Sequence, residues 1–556
     1  MRDFQKIKNY YSSSFAYSLY SILYICILLI STTCFASEQY WQITLSYDSQ
    51  SLKILEIGKI PAMAKQIRTP GLLGADIKIH YKLTWLDKNG KNLFSTPADI
   101  PLGIRAPLFP DSSCETVIPE QGVFVIRVQG PEPDSQPASI RLLKTGFSSR
   151  TMKLSHIPPI FQFEEKSLPI TKIRTQPAPA AGPISSAKIR DTGSDSNRLV
   201  IVVMGDGYTY TNLTAGNFNS NVSTLINAFI GRSPWDNYFN GTNVYRVDIE
   251  SNEEGADEPP PGPGIYKDTY LNSSFWSNGI ERLLTIDHTG MTRARAAADS
   301  LVGTGVWDNI FVLVNSTKYG GSGGWLAVSS IHPSASEIIL HEYGHTFAGL
   351  ADEYDYGGTG VPFNDSEPNV DFDYSLSNLK WSVWVNPGTP LPTPQTTSYD
   401  TIVGAFEGAK YWTTGIYRPW LNCLMRSLSR PYCPVCKQAI ALEYTSLVDL
   451  IDSISPSTTW NIIVGSPGVI FEVTPIPIVP MKYEWHLNGN LLTGQSSSSL
   501  FLMNTDLSSA TTILQVTVTH NTNLIRSTTV SHSYYWTLVY QPTGIDKSLI
   551  DIYKEE

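Results

Sequence analysis

The chain has 556 residues, a formal net charge of −10 and only 16% charged side chains. At about 100–200 residues per domain the length allows several domains with sizeable cores. A sparse, acid-leaning charge set lacks the clustered lysine and arginine that phosphate backbones require, which argues against nucleic acid as a partner.

Taken from its start, the chain opens with Arg2, Lys6 and Lys8, an apolar run from about Ser21 to Ile30, and then Cys34–Phe35–Ala36 with small residues at both cleavage-defining positions. Residues 1–36 therefore read as an export signal. An apolar run of about ten residues is too short for a stable bilayer anchor, and no second long run follows. The expectation is a secreted or periplasmic bacterial protein without an integral span after cleavage, a retained anchor being the second reading.

Residues 37–150 alternate in the manner of strands. Trp41, Ile43, Leu45 and Tyr47 form one such set and Ile77, Ile79, Tyr81, Leu83 and Trp85 another, with Asp87–Lys88–Asn89–Gly90 as a hairpin turn. An all-β N-terminal sandwich is predicted, for support or binding. Residues 151–196 are rich in proline, including Pro158, Pro159, Pro169, Pro177, Pro179 and Pro183, and read as a linker or as a strap packed on a neighbouring domain.

From residue 197 to 447 strands and helical segments alternate, as in an α/β domain. Leu199–Met204 is a buried strand running into Gly205–Asp206–Gly207–Tyr208, a turn without the glycine and lysine spacing of a phosphate-binding loop. Val244–Ile249, Ile310–Asn315 and, after the glycine-rich Gly320–Gly324 turn, Trp325–Ile331 are further strands. If the last lies at a sheet edge, its backbone is free to take an extended peptide as an added strand; an interior position is the equal alternative. Asp206, Asp248 and Asp257 lack calcium-loop spacing and read as turn residues.

The stretch that carries chemistry is Ile338–Ile339–Leu340–His341–Glu342–Tyr343–Gly344–His345, followed by Leu350–Ala351–Asp352–Glu353–Tyr354. On a helix His341 and His345 project from one face, one turn apart, and Glu342 can reach a water held between them. Ser334 with Glu337 three residues on reads as a capping box, and Gly349 as the helix stop. A catalytic zinc takes three protein ligands; Asp352 is the best-placed third, with Glu353 as fallback. The pattern of five residues can arise by chance, but the cap, the turn and the acidic pair add weight. Of the six cysteines, Cys26 and Cys34 fall in the export segment. In an exported protein the close set Cys423, Cys433 and Cys436 suggests one local disulfide, Cys423 pairing with Cys433 or Cys436. A second, structural zinc would want a fourth ligand that this neighbourhood does not obviously supply.

These motifs, together with Val314–Asn315–Ser316, Tyr319–Gly324, Phe406–Glu407–Gly408–Ala409, Tyr417–Arg418–Pro419, Asn422–Cys423–Leu424–Met425–Arg426 and Cys433–Pro434–Val435–Cys436, resemble the bacterial IgA-peptidase-type zinc metallopeptidases over residues 197–447. The resemblance implies a metzincin-like catalytic domain that cuts peptide bonds with one zinc ion, and Met425 in a tight turn beneath it. Ordinary metzincins place a ligand ten residues after the first histidine, here Ala351, so the role passes to Asp352. Glu342 is then the general base, Tyr417 a candidate to meet the oxyanion, and Glu353 a candidate to hold a ligand histidine from behind.

Residues 448–556 turn β again, with Trp485 before Asn488–Gly489, as in an immunoglobulin-like sandwich without its disulfide. The chain thus reads as multidomain: a β-sandwich, an α/β zinc peptidase domain and a β-sandwich. Its favoured function is secreted zinc endopeptidase with a protein or peptide substrate. The alternative is an inactive surface binding or adhesion protein that works through its β modules; retention of Glu342 favours the enzyme. No residue ties the substrate to immunoglobulin A.

Overall fold

Eight consecutive residues, Leu199–Asp206, are buried without a break, as expected of a strand covered on both faces. The computed structural model describes residues 40–540 apart from 48–50, 61–76, 103, 106–115, 118–121, 132–134, 136, 150–160, 162, 170–181, 325, 359–364, 466, 508 and 510. The export segment at 1–36 and Cys114 lie outside the described residues.

Leu199–Asp206 sits inside a six-stranded sheet. Its order is Pro183–Arg190, Thr242–Ile249, Leu199–Asp206, Asn309–Val314, Ala327–Ser330 and Gly321–Ser322, the four inner strands parallel and the two outer ones antiparallel. Because side chains alternate along each strand, Leu199, Ile201, Val203, Phe311 and Leu313 face one apolar layer, and Val200, Val202, Met204, Val312 and Val314 the other. The first layer is covered by the helices Asn217–Ile230, Ala335–Ala348 and Pro434–Leu447, the second by His288–Ala298. Ala327–Ser330 is not the outermost strand: Gly321 and Ser322 pair with Ser329 and Val328, and Gly321 is bridged in turn by Leu283. The backbone edge that the sequence offered for an added peptide strand is covered over those residues.

The N-terminal region is two antiparallel sheets. One holds Tyr40–Tyr47, Leu52–Ile60 and Gly122–Gln129, the other Ile77–Leu86, Asn92–Leu102, Ser139–Ser149 and Glu165–Pro169. Trp41 and Trp85 meet between them, ring centroids 5.1 Å apart. Two described segments of the proline-rich stretch, predicted as a linker or a packed strap, are built into neighbouring sheets. Glu165–Pro169 adds a strand to the N-terminal sheet, and Pro183–Arg190 is an edge strand of the central one. Both prolines stand at strand ends, where a missing N–H is tolerated.

After the helix ends at Leu447 the chain enters a second pair of sheets, beginning with Ile451–Ser455. Trp485 is fully buried and stacks on Trp536 at 5.9 Å, with Phe471 edge-on to Trp536 at 5.3 Å. Asn488 and Gly489 both adopt positive φ (49° and 80°), the conformation an Asn-Gly hairpin turn requires. This region shares one continuous apolar interior with the central unit. Tyr238 donates to or accepts from His520 Nε2 at 2.9 Å, and Arg198 holds Asp452 through two 2.6 Å contacts. The N-terminal sandwich has its own core and touches the central unit through polar contacts, Gln42 to Asp299 at 3.2 Å and Arg127 over Trp307. No helix among the described residues is long and apolar enough to cross a membrane.

Candidate metal centre

The helix Ala335–Ala348 is buried from Ile338 to Ala348. Its back is fixed by Tyr343, which stacks on Trp235 (5.2 Å), meets Phe311 edge-on (5.0 Å) and donates its hydroxyl to Asn309 Oδ1 at 2.9 Å. Gly349 ends the helix in the left-handed conformation, φ 62°. The predicted capping box does not form. Ser334 already has near-helical angles and makes no side-chain cap bond, while Glu337 pairs with Arg232 and accepts from Ser429 N at 3.0 Å.

On the opposite face the imidazoles of His341 and His345 converge. His341 Nδ1 lies 3.0 Å from the carbonyl of Leu424, and His345 Nδ1 2.6 Å from that of Leu350. A carbonyl only accepts, so both Nδ1 atoms carry the proton and both Nε2 atoms present lone pairs. These Nε2 atoms are 3.0 Å apart, and each is 3.1 Å from Asp352 Oδ1. All three residues are at most 2% exposed. Three acceptor atoms meeting in a dry pocket repel one another unless a cation or a proton lies among them. Their spacing is close to the ~3.3 Å edge of a tetrahedron with zinc–ligand bonds of about 2.0–2.1 Å. The donor set fits a divalent transition metal.

Supporting contacts orient these groups. Asp352 Oδ2 accepts from Tyr411 Oη at 2.7 Å, and Lys410 N donates to the Asp352 carbonyl at 3.1 Å. Lys410 and Tyr411 both have positive φ (48° and 73°), an unfavourable backbone for non-glycine residues that recurs at functional sites. Asn369 clamps the segment before Asp352, accepting from Ala351 N (2.7 Å) and donating to Ala351 O (2.9 Å). Sequence reasoning missed Tyr411, Lys410 and Asn369; each acts from a distant segment and none lies in a spacing that signals metal chemistry. Losing the Tyr411 hydroxyl frees one oxygen of Asp352 to rotate. Tyr411→Phe is expected to weaken metal affinity about 10–100-fold, measured by competition with a chromogenic chelator; unchanged affinity would refute the orienting role.

Met425 packs against the helix that carries the histidines. It is fully buried, and a side chain added at Gly344, between the two histidines, would meet its sulfur at 2.9 Å. Glu342 is 2% exposed and faces the glycine-rich loop, where a Cβ on Gly323 would come 2.8 Å from its Oε2. Glycine at 323 is what lets that loop approach the carboxylate. Three expectations need correcting. Tyr417 pairs through its backbone with Asp371 and sets its ring on Tyr374 at 5.1 Å, away from the histidines. The tyrosine that senses Glu342 is Tyr319, pushed up to about 12 by burial and by the Glu342 charge. Glu353 turns away from the histidines, because the extended backbone after Gly349 sends consecutive side chains to opposite sides. It accepts from Asn369 Nδ2 at 2.9 Å and lies 3.2 Å from Cys436 Sγ. Cys423, Cys433 and Cys436 stand as free thiols rather than the expected bridge, with Cys423 Sγ and Cys436 Sγ 3.7 Å apart.

In the metal-free protein burial pushes His341 down, but the hydrogen bond and charge of Asp352, then Glu342 and the Leu424 carbonyl, outweigh it and hold His341 above its usual value. A raised folded-state value contributes stability that is present below the unfolded value of ~6.5 and is lost as pH rises through the folded one. Metal binding needs the neutral ring, so protons compete early. On acidification, metal affinity should begin to fall above pH ~6.5 and fall more steeply below it; an affinity that stayed level to well below that value in an equilibrium dialysis series would contradict this assignment.

No curated protein matches the chain. Among solved structures, a matched chain is a Bacteroides fragilis protein assigned as a beta-galactosidase, at 7% identity with 91% of this chain and 72% of that chain covered; its TM-score of 0.12 carries no argument. The family model described as IgA Peptidase M64 matches residues 187–401 and 395–443, a span that contains both histidines, Glu342, Asp352, Met425 and the three cysteines. Over residues 187–443 the chain is therefore similar to the IgA Peptidase M64 family.

Proposed function

We propose that this protein is an exported zinc-dependent endopeptidase that hydrolyses internal peptide bonds of extracellular proteins, with a metzincin-like arrangement of helix and underlying methionine turn. The observation that carries this reading is the convergence of His341 Nε2, His345 Nε2 and Asp352 Oδ1 beside the buried carboxylate of Glu342. These three residues would hold the ion. Zinc bound there supplies Lewis acidity, polarising a carbonyl and making a water acidic enough to attack near neutral pH.

The remaining work falls to the chain itself. Glu342 accepts the proton of the attacking water and delivers it to the departing amine nitrogen. Its near-complete burial excludes bulk water from that transfer. Tyr319 keeps its proton at neutral pH and offers a donor to the negative charge that develops on the substrate oxygen. The immunoglobulin-like reading of residues 448–556 suits a supporting module packed on the peptidase unit.

The test is casein cleavage by the purified chain with and without a chelator, beside Glu342→Ala. Cleavage abolished in both, and restored by added zinc only in the chelated wild type, supports the mechanism. Cleavage persisting in either rejects it.

A further inference from the structure

A second set of ligand atoms meets in the interior, behind the histidine site. Glu353, Cys423, Cys433 and Cys436 are each essentially unexposed, and one ligand atom from each lies within 4.8 Å of all the others. Three thiols and a carboxyl packed together gain little from one another in a dry core, since each is desolvated without a strong partner. Their geometry suits an ion. Cys423 Sγ and Cys436 Sγ are 3.7 Å apart, far beyond a disulfide bond of about 2.05 Å and close to the ~3.8 Å edge of a tetrahedron with zinc–sulfur bonds of about 2.3 Å.

Polar groups reach the sulfurs. Cys433 N lies 3.2 Å from Cys423 Sγ and Cys436 N 3.3 Å from Cys433 Sγ, so two backbone amides donate to sulfur. Cys433 also caps the helix Pro434–Leu447, where the positive end of the helix dipole stabilises negative charge. The fully buried Arg418 lies within electrostatic reach of both Glu353 and Cys423. Glu353 Oε1 is engaged by Asn369 and Cys436, while its Oε2 is buried with no hydrogen-bond partner among the described residues. That oxygen is left open to a further ligand.

We propose that Glu353, Cys423, Cys433 and Cys436 form a second, structural zinc site closed by four protein ligands. Soft thiolates in a tetrahedral set select zinc over magnesium or calcium, and absence of an open position leaves the ion no catalytic role. The site would fasten together the segments that build the histidine centre. Glu353 follows Asp352 directly, its backbone N–H donates to the Met425 carbonyl at 2.8 Å, and Cys423 precedes Leu424, whose carbonyl fixes His341. The ion would thus act as a clasp beneath the catalytic ligands.

The experiment is metal analysis of the full chain purified with zinc, together with cobalt substitution. Wild type should carry two zinc ions per chain. His341→Ala/His345→Ala should retain one, and its cobalt form should show intense sulfur-to-cobalt charge-transfer absorption. Cys433→Ser/Cys436→Ser should lose that band. Should the cysteine variant fail to fold, the histidine variant decides alone. Finding no ion in it, or no charge-transfer band, overturns the proposal; so does an intact mass showing a disulfide, or ready alkylation of all three cysteines in the native protein. One ion in both wild type and the histidine variant would leave this site standing and remove the other, so the two readings fail separately.

Discussion

Glu342→Gln should lower kcat by about 10²–10⁴-fold while the histidine site keeps its metal. The substitution keeps shape and hydrogen-bonding capacity but removes the base. Glu342 is 2% exposed and its Oε2 faces the Gly323 backbone, so a neutral amide fits the same space. A loss of that size corresponds to about 2.7–5.5 kcal/mol of transition-state stabilisation. The diagnostic comparison is kcat against metal content on one preparation. A rate within tenfold of wild type would remove Glu342 from proton transfer. Loss of metal along with the rate would place the residue among the ligands instead.

Asp352→Ala should strip the histidine-held ion. Asp352 Oδ1 is 3.1 Å from both Nε2 atoms, and its removal leaves a two-nitrogen site open to protons. The loss of affinity should exceed the ~10–100-fold that a missing supporting contact costs, and hydrolysis should fall with it. Glu353→Ala provides the contrast. Because Glu353 points to the cysteines, that variant should keep the histidine-held ion at better than half occupancy. If Glu353→Ala, and not Asp352→Ala, emptied the histidine site, the ligand order would be reversed.

What the sequence made legible follows from how local each signal is. His341, Glu342 and His345 lie within one helical turn and a residue, so their shared face is dictated by periodicity alone. The central strands were visible because burial on both faces leaves unbroken aliphatic runs such as Leu199–Met204. Asp352 was within reach as the first acid after the Gly349 turn. Tyr411, by contrast, reaches Asp352 from 59 residues away, and nothing in its own neighbourhood marks it. Glu353 was misread for a related reason. Its adjacency to Asp352 suggested a shared target, whereas alternation along an extended backbone sends it to cysteines that lie 83 residues further on at Cys436. The capping box was a correct motif in an unsuitable backbone, since Glu337 found a stronger partner in Arg232. The proline density of residues 151–196 left a linker and a packed strap equally open, and in the described segments Pro169 and Pro183 sit at strand termini.

The joint between the central sheet and the last pair of sheets has a mechanical consequence. Tyr238, Tyr444, Ile476 and Trp536 belong to one uninterrupted apolar mass, so that part of the molecule has no seam along which to bend, whereas the front sandwich keeps an interior of its own and meets the central unit through Gln42, Arg127 and Leu55. The helix that carries His341 and His345 packs into that same mass through Tyr343 and Phe347, which seats the ion-holding floor as on an anvil.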